Sequence, residues 1–66
     1  MTYEATYHVA TRDGYIGEVD QDGDYKLVEH IMNAQIYSKS GALHMAKIVN
    51  GQAYQLCSTG KIRKIK

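Results

Sequence analysis

Only one stretch of this chain repeats with the period of a helix. Between Ser38 and Gly51, the residues Ala42, Met45, Ala46 and Val49 recur three and four apart, with Leu43 and Ile48 on the flanks. That spacing lines one helical face with apolar side chains. Ser38 or Ser40 can cap the start, because a serine oxygen accepts from a free N–H of the first turn. Lys47, near the C-terminal end, suits the helix dipole. Asn50-Gly51 predicts the stop, with Gly51 in the left-handed conformation. A helix over about residues 39–50 is too short to persist alone in water. It needs an apolar surface to pack on, and the remaining segments must supply that surface as sheet.

Those segments alternate with period two. In YEATYHV, residues 3 to 9, Tyr3, Ala5, Tyr7 and Val9 fall on one face and Glu4, Thr6 and His8 on the other. This is the pattern of a half-buried strand. Asp13-Gly14 then predicts a tight type I′ hairpin turn, whose two central residues need positive φ. A second strand is expected from Tyr15 to Val19, with Gly17 either weakening it or marking a bulge. Asp20 to Asp24 reads as the next turn and Tyr25 to Val28 as a short third strand. Glu29 to Asn33 has no clear period. Ala34 to Tyr37 (AQIY) reads as another short strand, or as part of one irregular extended segment from Glu29. After the helix, Gln52 to Cys57 forms a further strand and Ser58-Thr59-Gly60 a turn. KIRKIK, residues 61 to 66, then serves as an edge strand or a frayed basic tail; lysine on an edge strand discourages sheet-to-sheet aggregation. The expected architecture is a single α+β domain over residues 1–66: a small antiparallel sheet of three to five strands with one helix packed on one face.

Charge is distributed unevenly. All seven acids (Glu4, Asp13, Glu18, Asp20, Asp22, Asp24 and Glu29) precede residue 30, where only Arg12 and Lys26 oppose them and leave a net −5. Beyond it, Lys39, Lys47, Lys61, Arg63, Lys64 and Lys66 meet no acid and give +6. Such asymmetry points to macromolecular partners. A compact domain interleaves its segments, so partial neutralisation of the two halves is expected on folding.

The residue types capable of chemistry do not assemble into a motif. Counted from Asp20, an EF-hand-like loop finds aspartates at positions 1, 3 and 5 but Tyr25 at 6 and Ile31 at 12. The turning glycine and the closing acid are missing, so the stretch reads as a turn. The candidate zinc ligands His8, His30, His44 and Cys57 form no close pair and lie on different predicted elements. No basic residue adjoins Cys57 in sequence to activate it as a nucleophile, and one cysteine cannot form an internal disulfide, which suits a reducing cytoplasmic setting. Ser58-Thr59-Gly60-Lys61 lacks the spacing of a phosphate loop, since Ile62 follows the lysine. A chain of 66 residues buries only about 60% of its unfolded surface. That leaves little room for a closed pocket. No enzyme, metal or cofactor is expected.

No run of about 18 apolar residues marks a membrane span, and the N-terminal residues lack the basic start and apolar middle of a signal peptide. Two partner surfaces remain. The acidic segment Glu18, Asp20, Asp22 and Asp24 suits a basic protein surface. Lys61, Arg63, Lys64 and Lys66 suit nucleic-acid phosphates, with tyrosines on an open sheet face to stack on unpaired bases. Complementary halves also allow copies to pair head to tail or to swap an edge strand, so monomer and homodimer are both compatible.

Three pieces carry a resemblance: Asp13-Gly14-Tyr15, NAQIYSKSGALHMAK (Asn33 to Lys47) and GQAYQL (Gly51 to Leu56). Together they resemble small uncharacterised proteins encoded by phages and prophages of Gram-positive bacteria. The shared features are an Ala-x-aliphatic-aromatic strand, a Ser/Lys-started helix and a Gly-led strand, spanning most of the chain. The resemblance implies an intracellular, phage-encoded accessory protein made in the host cytoplasm. It carries over no site residue. The leading expectation is therefore a non-enzymatic accessory protein that binds another macromolecule, most readily a host or phage protein, with nucleic-acid binding as the alternative.

Overall fold

A computed structural model describes residues 5–65. Five strands and one helix follow in the order β1 (Thr6–Thr11), β2 (Gly14–Val19), β3 (Tyr25–Val28), α1 (Lys39–Val49), β4 (Gln52–Leu56) and β5 (Ile62–Ile65). The strands make one antiparallel sheet in the order β3-β2-β1-β4-β5. This is the α+β architecture expected from the alternation of periods. Tyr3 and Glu4, assigned to the first strand, lie outside the described residues.

The helix packs on one face of β1 and β4. Its stripe is the expected one: Ala42 and Ala46 are buried against Val9, Ile16 and Ala53, with Leu43, Met45 and Val49 half-buried around them. Alanine at both central positions lets the helix lie close to the sheet. Ile48 turns away and is largely exposed. Ser38 caps the helix by accepting from the Gly41 N–H (3.1 Å). At the other end the left-handed residue is Asn50 (φ 56°, ψ 43°), not Gly51. The Gly51 N–H returns to the Ala46 carbonyl (2.8 Å), closing a Schellman-type end. Gly51 is needed for another reason: a Cβ there would collide with the Ala10 carbonyl oxygen of β1.

One turn and one strand differ from the sequence expectation. The β1–β2 hairpin forms around Arg12-Asp13, but neither residue has positive φ. The turn is therefore not type I′. Thr11 holds it instead, its Oγ1 accepting from the Asp13 N–H and donating to the Gly14 carbonyl, both at 3.2 Å. The AQIY segment is not a strand. Ile31–Asn33 forms a 3-10 turn, and only Tyr37 bridges to Tyr7. The Gln35 N–H donates to Ile16 and the Tyr37 N–H to Tyr7, both at 2.8 Å. Ala34 to Tyr37 thus fills a gap between strands, because β1 pairs with β2 only at Ala10–Tyr15 and Thr11–Gly14.

That wedge also explains His8. Alternation placed it on the polar face, yet it is only 2% exposed. Its Nδ1 lies 3.0 Å from the Gln35 carbonyl and its Nε2 2.8 Å from Thr6 Oγ1. A carbonyl can only accept, so Nδ1 carries the proton and Nε2 accepts from the threonine hydroxyl. Burial lowers the His8 pKa, and the Gln35 bond opposes this more weakly. The ring is a neutral, satisfied core group rather than a free ligand.

Candidate functional site

The outer half of the β2–β3 hairpin leaves the body of the protein. Every residue from Glu18 to Leu27 is exposed. A bulge at Gly17 shifts the register between Ile16–Leu27 and Glu18–Lys26, and bulges of this kind increase local twist. Beyond it, Val19 stands across from Tyr25. By strand alternation Val19, Tyr25 and Leu27 share the face on the helix side, where Tyr25 and Leu27 border a shallow groove with Val49. The three are 39–40% exposed. Glu18 and Lys26 stand on the opposite face as a cross-strand pair of opposite charge.

The tip of this arm is the aspartate turn. Asp20 organises it: Oδ1 accepts from the N–H groups of Asp22 (2.9 Å) and Asp24 (3.0 Å), and the backbone closes through Asp20 N–H to Asp24 O (2.9 Å). Gly23 takes the left-handed position (φ 87°). The four acids assigned to a partner surface therefore divide. Asp20 builds the turn, while Glu18, Asp22 and Asp24 present carboxylates outward. Replacing Asp20 with Ala should cost about 1–2 kcal/mol, since two charge-assisted bonds are lost at an exposed site. Asp22→Asn and Asp24→Asn should stay within about 0.5 kcal/mol. Urea unfolding followed by circular dichroism measures all three. Equal effects would remove the distinction.

The basic residues of the last segment divide too. β5 pairs Arg63 with Gln55 and Lys64 with Tyr54. Lys61 and Arg63 line a groove of about 820 Å³ on the helix side, whereas Lys64 faces the other way, beside Tyr54. Lys66 lies outside the described residues. Tyr15 and Tyr54, which alternation puts on the side away from the helix, meet each other edge to face, with centroids 6.2 Å apart and planes at 65°. Reaching across β1, which lies between their strands, they pack on each other rather than form an open stacking platform.

The two charge groups do not interleave as expected. The sheet order puts the acidic β2–β3 arm at one edge and basic β5 at the other, with β1 and β4 between. Among the described residues no three His, Cys, Asp or Glu side chains converge to hold a metal ion. Among the described residues no helix is long and apolar enough to cross a membrane. Sequence reading found the charged residues on both edges. It missed Tyr7 and Gln55, which line the basic groove, because only strand pairing brings them beside Arg63.

The fold defines a small α+β domain. Compared with known proteins, the chain matches no family model, no curated protein and no solved structure.

Proposed function

We propose that this chain is a small, non-enzymatic, phage-type accessory protein of the host cytoplasm that acts by binding another protein through the β2–β3 arm. The observation that carries the reading is the apolar strip Val19, Tyr25 and Leu27, 39–40% exposed on an arm whose tip is acidic. Apolar side chains at the centre of a patch with charge at its rim are the make-up of a protein interface. The fitting partner carries a matching apolar surface with a basic rim. Carboxylates at the arm tip would steer the encounter and fix its register, while the apolar strip would hold the complex. Nothing in the arm needs catalysis.

Affinity capture from a bacterial lysate with the wild type and with the Asp22→Lys/Asp24→Lys double variant tests the proposal. A partner retained by the wild type should then be titrated in purified form. Each reversed charge turns a weak attraction into a repulsion, so the dissociation constant should rise about tenfold, with the unfolding midpoint unchanged. Leu27→Ser should weaken binding at least as much. Identical capture by all three proteins would refute the arm as the interface.

A further inference from the structure

We infer that the groove over β1, β4 and β5 is a second binding site, built for a phosphate-bearing nucleotide unit. It is independent of the arm and lies toward the opposite edge of the sheet. Strand register builds its floor. Tyr7 pairs with Gln55, and Gln55 pairs with Arg63, so the three form one row across β1, β4 and β5. Cys57 and Lys61 continue the floor one step along, tied by the Cys57 N–H to Lys61 carbonyl bond (2.8 Å). Both rows border the same cavity, with Thr6 and Thr59 at its sides.

The chemistry of this floor is graded. At the β5 side stand two permanent cations, Lys61 and Arg63, and no carboxylate is among the described residues that line the groove. At the β1 side stands Tyr7, half-buried, with part of its ring packed against the core. Between them lies the Gln55 amide, which both donates and accepts. From Tyr7 to Arg63 is two strand spacings, about 10 Å. An anion at Arg63 joined by a short polar spacer to a flat ring at Tyr7 fits this order. Guanidinium groups bind phosphate through paired N–H donors, tyrosine stacks on any base, and an amide reads a base edge or sugar hydroxyl. A free nucleotide and a single-stranded nucleic acid both present that unit. Lys64, on the opposite face of the same strand, provides an internal comparison of equal charge.

The test uses the intact chain. Fluorescence anisotropy with labelled dT12 and rU12, and competition by a mononucleotide, measure binding at about 50 mM salt. Arg63→Ala should weaken binding about tenfold, as loss of a charge-assisted contact predicts. Lys64→Ala should change it less than twofold. With two phosphates neutralised by Lys61 and Arg63, raising salt from about 50 to about 200 mM should weaken the wild type about sevenfold. The Lys61→Ala/Arg63→Ala variant should lose that dependence. Tyr7→Leu, which keeps an apolar side chain on the core, should cost about fivefold or more. Circular dichroism confirms that each variant is folded. Cys57, the only cysteine, gives a second readout: bound ligand should slow its reaction with a maleimide. Displacement by the mononucleotide would identify the free nucleotide as a sufficient ligand, and binding of the oligomers alone would identify a strand. The site is overturned if no probe binds, if Lys64→Ala weakens binding as much as Arg63→Ala, or if Cys57 reacts equally fast with and without ligand.

Discussion

Replacing Gly51 with Ala should destabilise the domain by about 3 kcal/mol, comparable with the whole stability of a single core this small. The added Cβ would point into the Ala10 carbonyl oxygen, a backbone atom in the central strand that no side-chain rotation can clear. To make room, β4 must move from β1, which breaks the rungs Ala10–Gln52 and Val9–Ala53 at the helix-covered centre of the sheet. Gly23→Ala is the proper comparison. Gly23 has positive φ (87°) but open space around its Cα, so its cost is the left-handed penalty alone, about 1–2 kcal/mol. Urea midpoints by circular dichroism rank the two. A Gly51→Ala midpoint at or above that of Gly23→Ala would show that the β1–β4 spacing yields without cost.

Acidification should weaken the protein through His8. The ring is neutral and bonded on both nitrogens, and burial holds its pKa below the ordinary value of 6.5. An unfolded chain therefore binds a proton that the folded one refuses over the interval between the two values. Stability is then fully present above about pH 6.5 and is lost as pH falls toward the folded pKa. Protonation would also turn Nε2 from an acceptor into a donor and force the Thr6 hydroxyl to reverse its role. Proton NMR of the His8 ring should show a midpoint below 6.5, and a midpoint at or above that value would contradict the burial. In parallel, the wild-type urea midpoint should fall between pH 7 and pH 5.5 more steeply than that of His8→Met. His8→Ala should cost about 2–4 kcal/mol at pH 7, because it leaves a cavity and an unpaired Gln35 carbonyl.

His8 also shows where sequence reasoning stops. Its partner Gln35 is 27 residues away and lies in a segment that resembles a strand by composition. Alternation assigns faces correctly, but it does not say whether a face is covered. Here the 3-10 turn and the wedge behind it bury what the pattern left open. The candidate surfaces divide in the same way. The acids of the arm and the bases of β5 are visible in the linear chain. That Asp20 is spent on its own turn, that Lys64 faces away from Arg63, and that Tyr7 and Gln55 join the basic groove depend on hydrogen-bond geometry and register.

By itself the sequence determined most of the elements: one helix with a serine cap and apolar stripe, the places of the hairpins and the irregularity at Gly17, but neither the type of the β1–β2 turn nor the true form of AQIY. What it determined follows from rules that act within a few residues, namely side-chain period, turn preference and capping. Tertiary structure alone decided which strands became edges, that opposite charges would stand at opposite sides of the sheet, and that Gly51 answers to Ala10 rather than to the helix end. Those outcomes depend on burial and close approach between residues far apart in the chain, and no local pattern encodes which distant atom will occupy the space.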